Sequence, residues 1–250
     1  MINIYNRDCL STMKKIKNNS VDLILTDPPY NLGNFMRDRD FGVKRMRDNT
    51  FVTAGWDDLE YNEWLEQMNI FFRQADRVLK KRGSMIVFMS IIKVESIIKL
   101  AQKNGFYYKT TGIWHKTNPM PRNMNLHFVN STEAWVYFVT GAKTGTFNNN
   151  GKLLHDFYET SLTPSAEKKY GKHPTQKPEE LFEHFVSVLT DENDTVLDPF
   201  MGTGTAGVVS AKLNRNFIGM EIDKTYYQIT QKRINEVSNI LDNDKVVQAL

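Results

Sequence analysis

Short apolar runs alternate with longer amphipathic stretches along this 250-residue chain, and the alternation predicts strands interleaved with helices. Val21-Asp22-Leu23-Ile24-Leu25-Thr26 reads as a buried strand that stops at Asp27-Pro28-Pro29. From about Tyr61 to Lys81, Trp64, Met68, Phe71, Ala75, Val78 and Leu79 recur at helical spacing. They predict an amphipathic helix whose apolar residues are core and which Gly83 ends. Residues 85–89 predict a second buried strand, followed by a helix over about 93–103 that Asn104-Gly105 closes. Further strands are expected near 107–115 and 134–140, with irregular chain around Asn118-Pro119-Met120-Pro121 and Asn148-Asn149-Asn150-Gly151. A helix over about 178–189 has Pro178 in its first turn. Then come a strand at 195–197, a glycine-rich turn, a helix to about Leu213, a strand at 217–221 and a last helix from Thr225.

Strands that alternate with helices imply a mostly parallel sheet covered on both faces. Such sheets bind ligands at the carboxyl ends of strands, where the strand order reverses. The two unusual motifs of this chain, Asp27-Pro28-Pro29-Tyr30 and the turn after residue 197, both directly follow predicted strands.

Composition narrows the picture. A hydrophobic share of 40% and a charged share of 24% are those of an ordinary globular protein. No apolar run approaches the roughly 20 residues that cross a bilayer, so no membrane partner is expected. The N-terminus lacks a signal-peptide core, which predicts a cytoplasmic protein. The single cysteine, Cys9, excludes an internal disulfide framework, and the five histidines are scattered without metal-ligand spacing, so no metal is expected. A net charge of +3 does not by itself argue for a nucleic acid. Its distribution says more: Arg37, Arg39, Lys44, Arg45 and Arg47 cluster, as do Lys168, Lys169, Lys172 and Lys177. Each cluster can be a solvated surface or a phosphate contact.

Asp198-Pro199-Phe200-Met201-Gly202-Thr203-Gly204-Thr205 joins a strand to a helix, and Glu221 follows at the end of the next strand. Glycine lets the backbone approach a ligand, and a carboxylate at that spacing can accept hydrogen bonds from a ribose diol. A phosphate loop would need Lys-Ser/Thr where Thr205-Ala206 stands. Gly202, Gly204 and Gly207 do satisfy G-x-G-x-x-G, but Asp198-Pro199 suits a nucleoside without a pyrophosphate. A purely structural turn is the bland alternative.

Asp27-Pro28-Pro29-Tyr30 is more informative. Two prolines fix φ twice and donate no N–H, so the loop is stiff and presents carbonyl oxygens. The exocyclic amine of a nucleobase is a poor nucleophile because its lone pair is delocalised into the ring. The Asp27 carboxylate and the Pro28 carbonyl could accept its two hydrogens and localise that lone pair, while the Tyr30 ring offers a stacking face. The bland alternative is a strand-ending turn with a capping aspartate and a core tyrosine.

These motifs resemble those of DNA amino-methyltransferases that modify adenine N6 or cytosine N4. That family carries an Asp/Ser/Asn-Pro-Pro-Tyr/Phe motif and a Phe-x-Gly-x-Gly motif; here they are Asp27–Tyr30 and Phe200–Gly204, in the β-class order. The similarity takes in Asn6-Arg7-Asp8-Cys9 and His173-Pro174-Thr175-Gln176-Lys177-Pro178, hence nearly the whole chain. It implies a Rossmann-like α/β fold with a mixed, mostly parallel seven-stranded sheet, and S-adenosylmethionine as cofactor. Asp27, Pro28, Pro29 and Tyr30 are then catalytic. Cofactor contacts are expected from Asp8, Cys9, Asp27, Thr175, Gln176, Lys177, Asp198, Pro199, Phe200, Gly202, Thr203, Gly204, Thr205 and Glu221.

The resemblance also implies base flipping and transfer to adenine N6 in DNA, since Asp heads the motif where Ser is more usual for cytosine N4. Cytosine N4 is the alternative; a DNA-binding module without catalysis is a further one. The chain ends soon after its last helix, so a single catalytic domain is expected, with DNA recognition from insertions at about 31–58 and 118–170. Arg37, Arg39, Arg45, Arg47, Lys116, Asn118, Arg122 and Asn123 are the DNA-contact candidates. A homodimer and a cognate restriction endonuclease are partners that the class admits.

Overall fold

The computed structural model describes residues 1–32, 59–121, 125 and 128–248, with side chains up to residue 240. Eight strands form one sheet: β1 (Ile2–Tyr5), β2 (Val21–Thr26), β3 (Leu79–Met89), β4 (Phe106–Lys116), β5 (Thr132–Thr140), β6 (Phe157–Thr160), β7 (Thr195–Asp198) and β8 (Asn216–Met220). Their spatial order is β1-β8-β7-β2-β3-β5-β4-β6. The pairs from β1 through β3 are parallel, β5 runs antiparallel to β3 and β4, and β6 is parallel to β4. The expected mixed, mostly parallel sheet is therefore present, with one strand more than the seven expected.

The helices are α1 (Cys9–Met13), α2 (Tyr61–Val78), α3 (Val94–Lys103), α4 (Glu179–Leu189), α5 (Thr205–Lys212) and α6 (Lys224–Gln248). Side chains of neighbouring strand positions alternate between two cores. Ile24, Met85, Val87, Val136 and Phe138 pack with Trp64, Met68, Phe71, Phe72 and Ala75 of α2. Leu23, Leu25, Ile86, Phe88, Trp135 and Tyr137 pack on the other face with Leu181, Phe182 and Phe185 of α4 and Val208 of α5.

Helix α2 stops at Val78, not near Lys81, because Leu79 turns to an extended backbone and pairs with Val21. Pairing then resumes with Ser84 opposite Leu23, so residues 80–83 form a bulge with Arg82 at φ +72°. Gly83 consequently lies in a strand, where a Cβ would come 2.8 Å from the Lys80 carbonyl oxygen.

The decisive relationship is between β2 and β7. They are neighbours, yet the chain leaving β2 returns at β3 on one side and the chain leaving β7 returns at β8 on the other. Their C-terminal loops thus diverge and open a crevice, the topological switch point of such sheets. Both motifs border it. Among the described residues no helix is long and apolar enough to cross a membrane.

Candidate active site

Asp27 leaves the end of β2 with both carboxylate oxygens engaged. Tyr30 donates its hydroxyl to Oδ1 at 2.6 Å, and the Lys177 ammonium bonds Oδ2. The Pro29 carbonyl accepts the Trp64 indole N–H at 3.2 Å, which ties the proline pair to α2. Among the described residues none donates to the Pro28 carbonyl. Asn31 closes the loop through a two-way bond with the Leu59 backbone, its amide donating at 3.0 Å and its Oδ1 accepting at 2.9 Å. The chain that leaves at Asn31 therefore re-enters beside it.

Two residues in this arrangement were not singled out for the site from sequence. The helical spacing marks Trp64 as core; it is buried, and its indole also fixes the loop. Glu133, at the start of β5, holds Lys177 at 3.0 Å on Oε2 and Lys116 at 2.8 Å on Oε1. Two lysines and two carboxylates thus form one compact network. The Lys177 ammonium also lies 5.3 Å from the Phe88 ring centre and 5.9 Å from that of Tyr30, with favourable cation–π electrostatics at both. Burial pushes the Asp27 carboxyl above its ordinary range against the pull of Lys177. At Glu133 burial acts the same way, but Lys177 and Lys116 outweigh it and hold that carboxyl low. Burial, then Asp27 and Glu133, raise the Tyr30 phenol well above its usual value, so it stays a donor.

Across the crevice, Thr26 donates to Asp198 Oδ1 at 2.7 Å and the Phe200 N–H adds a bond to the same oxygen at 3.1 Å. Burial lifts Asp198 to about 7 despite both bonds. Pro199 is buried, and Phe200 meets Phe71 edge-on at 5.8 Å. Gly202 sits at φ +53° and Gly204 at φ +78°, left-handed conformations that favour glycine. The Gly202 N–H donates to Glu221 Oε2 at 2.9 Å, and the Asp223 N–H to Oε1 at 2.8 Å. Glu221 is thereby aimed with a second lone pair on each oxygen to spare, and burial raises it to about 7. Arg233 fixes the turn from behind, donating to the Thr203 carbonyl at 2.7 Å. Gly207, third in the G-x-G-x-x-G pattern, serves packing: a Cβ there would come 2.8 Å from both Ile234 and Phe217.

The two outlying segments converge on the same place. Asn6 donates to the carbonyls of Glu221 and Ile222, at 2.8 and 3.0 Å, which brings the N-terminal segment beside Glu221. Asp8 caps α1 by accepting the Ser11 N–H at 2.8 Å, and Cys9 is buried, its thiol pushed up by that burial. Thr205 donates to the Lys177 carbonyl at 3.1 Å, binding the 173–178 segment to the glycine turn. Thr175 contacts His173, which burial, then Lys177, lower to about 4. The Gln176 amide nitrogen donates to the Glu167 carbonyl at 3.1 Å, while its buried Oε1 has no partner among the described residues.

The DNA-contact candidates fare differently. Lys116 is buried in the network with Glu133, an inward placement at odds with phosphate contact. Asn118 accepts the Leu162 N–H at 2.7 Å and so braces the chain after β4. Arg37, Arg39, Arg45, Arg47, Arg122 and Asn123 lie outside the described residues. Within the second expected insertion, β5 is a central strand and β6 an edge strand, so only the segments around them can project from the sheet. In the second basic cluster Lys168 bonds the Thr163 carbonyl at 2.6 Å, Lys169 pairs with Glu236, and Lys177 is buried.

The crevice fits a nucleoside-type cofactor. Among the described residues a Cβ added to Gly202, whose N–H bonds the Glu221 carboxylate, would meet nothing within 4 Å, and Gln176 Oε1 is a buried acceptor without a partner. Comparison with known proteins agrees. A family model described as DNA methylase, for N6 and N4 methyltransferases, matches residues 21–232. The type II methyltransferase M2.LlaDCHI of Lactococcus lactis subsp. cremoris is 35% identical over 93% of this chain and 89% of its own length. M2.DpnII of Streptococcus pneumoniae is 34% identical over 92% and 88%. The crystal structure of the M1.HpyAVI–SAM complex superposes with a TM-score of 0.71 at 32% identity, covering 94% of this chain and all of that one. The PvuII cytosine-N4-specific enzyme superposes at 0.74 but is 20% identical, a likeness of fold alone. The chain belongs to the N6/N4 DNA methylase family. It is an enzyme, a DNA methyltransferase whose cofactor is S-adenosylmethionine.

Proposed function

We propose that this enzyme methylates the N6 amino group of adenine in DNA, with Asp27, Pro28, Pro29 and Tyr30 as its catalytic loop. The observation that carries the reading is the division of labour between the prolines. The Pro29 carbonyl is committed to Trp64, whereas the Pro28 carbonyl beside the Asp27 carboxylate has no donor among the described residues. An extruded base lies against the Tyr30 ring, and Asp27 and Pro28 accept its two amino hydrogens. Those two bonds localise the nitrogen lone pair and orient it, so positioning and electrostatics supply most of the rate. Once methylated the amine is acidic enough to lose a proton to water, and Asp27 acts as an acceptor rather than a general base.

S-adenosylmethionine supplies, when bound, an electrophilic methyl group on a sulfonium sulfur. Glu221 would accept the ribose hydroxyls, Gly202, Thr203, Gly204 and Thr205 would shape the wall beside them, and Asp198 and Pro199 hold that wall against β2. Phe200, Asp8 and Cys9 would border the adenine side; Thr175, Gln176 and Lys177 would border the amino-acid end, with Gln176 Oε1 the acceptor for an ammonium.

Adenine is preferred to cytosine because aspartate heads the catalytic motif. DNA recognition is assigned to the chain between Asn31 and Leu59 and to the segments around β5, in one catalytic domain. The same reading puts the protein in the cytoplasm, and the class to which it belongs admits a homodimer and a cognate restriction endonuclease as partners. The test is incubation with labelled S-adenosylmethionine and DNA, then mass spectrometry of the digested nucleosides. N6-methyldeoxyadenosine is expected; N4-methyldeoxycytidine would overturn the choice of base. Asp27→Ala is expected to leave cofactor affinity largely intact and to abolish turnover, and substantial turnover in that variant would remove Asp27 from its role.

A further inference from the structure

The Tyr30 hydroxyl has one proton and faces two carboxylates. It donates to Asp27 Oδ1 at 2.6 Å and lies 3.3 Å from Glu133 Oε2. With the hydroxyl on Oδ1 and Lys177 on Oδ2, both Asp27 oxygens are already engaged by donors. Each oxygen keeps a second acceptor position, but an oxygen that accepts two donors holds each of them less strongly, so an arriving amine is held best where one of the present donors withdraws. The Lys177 side is rigid, because that ammonium is buried and shared with Glu133. The Tyr30 side is not: rotation of one hydroxyl and closure by about 0.6 Å would give Glu133 a full hydrogen bond of ordinary O–H···O length.

We propose that Glu133 is a positioning residue for methyl transfer, receiving the Tyr30 hydroxyl bond when the target amine takes its place on Asp27 Oδ1. Only the hydrogen bond moves; the proton remains on the phenol. The proposal rests on Asp27 being the amine's acceptor. Glu133 suits the task because it is ionised and already fixed. Lys116 bonds Oε1, so Oε2 points toward Lys177 and Tyr30. Glu133 pairs with both buried ammoniums, Lys116 at 2.8 Å and Lys177 at 3.0 Å, and is held between them.

The test is a double-mutant cycle in single-turnover methylation of mapped DNA at saturating cofactor. Glu133→Gln is expected to slow the transfer step about tenfold or more while cofactor affinity stays unchanged. Tyr30→Phe keeps the ring and removes the hydroxyl, so in that background Glu133→Gln should cost less than about threefold. Equal costs in the two backgrounds, or a full-rate Glu133→Gln, would overturn the proposal. If Glu133→Gln does not fold, the pair Lys116→Met/Glu133→Gln removes the unmatched ammonium as well and replaces it in both arms. Asp27→Ala separates the two readings: turnover there sinks the acceptor role itself, whereas an inactive Asp27→Ala with an additive cycle sinks only the role of Glu133.

Discussion

Thr26, the last residue of β2, donates its hydroxyl to Asp198, the last residue of β7, at 2.7 Å across a separation of 172 residues in sequence. This buried bond joins the strand that bears the catalytic loop to the strand that bears the cofactor turn. Thr26→Val removes the donor at constant shape and leaves Asp198 with only the Phe200 N–H. Loss of such a bond costs about 1–3 kcal/mol, which denaturant unfolding would measure. Cofactor affinity should fall with it, and an unchanged dissociation constant by calorimetry would show that the two loops are positioned independently.

The same aspartate sets a pH dependence. Its carboxyl titrates at about 7 in the folded chain against an ordinary 3.8, raised chiefly by burial. From about pH 4 to about pH 7 the native state therefore holds a proton that the unfolded chain has released. Across that window this group makes stability fall as pH rises. Asp198→Asn keeps Oδ1 as an acceptor for Thr26 and Phe200 but cannot ionise. Unfolding free energies at about pH 5 and pH 8 should differ less in Asp198→Asn than in the wild type; an equal difference would contradict a protonated Asp198.

Much of this arrangement was legible in the sequence, and what was not has physical causes. The central strands announced themselves because they are buried on both faces and read as apolar runs, as Val21–Thr26 does. The edge strands β1 and β6 have four residues each and are half-exposed, so neither carries a usable period. The end of α2 falls short of what the spacing predicts because Leu79 continues the helical pattern while its backbone already belongs to the sheet. The catalytic and cofactor motifs stood out as local clusters of unusual residues. Glu133 did not: it is one acidic residue at the start of an apolar strand, and only β5 lying between β3 and β4 brings it to Asp27 and Lys177. Lys116 shows the converse, a lysine whose sequence neighbourhood suggested a surface but whose strand carries it inward.

The two turn glycines should fail in different ways. At Gly204 a Cβ would lie 2.4 Å from the Thr230 methyl, in a backbone at φ +78°. Gly204→Ala must displace α6 or the turn and should destabilise the fold by about 1–3 kcal/mol. At Gly202 a Cβ meets nothing within 4 Å, so Gly202→Ala bears only the strain of its positive φ, about 1–2 kcal/mol. Its methyl instead enters the open space beside Glu221, and cofactor affinity should drop about tenfold or more. Thermal unfolding and calorimetry on both variants distinguish the cases. Unimpaired cofactor binding by folded Gly202→Ala would place the cofactor elsewhere.

Trp64 offers the sharpest separation of catalysis from cofactor binding. Its indole N–H holds the Pro29 carbonyl at 3.2 Å, while its ring fills the core beside Met68. Trp64→Phe keeps an aromatic ring but deletes the donor, at a stability cost of about 1–3 kcal/mol from the smaller side chain and the orphaned carbonyl. The proline pair then loses its tie to α2, and the Pro28 carbonyl loses its fixed direction beside Asp27. A misplacement of about 1 Å is enough to cost roughly a hundredfold in rate. Glu221 and the glycine turn are untouched, so cofactor affinity should hold while kcat falls at least severalfold. Loss of cofactor affinity in step with kcat would show that Trp64 supports the whole crevice rather than the catalytic loop.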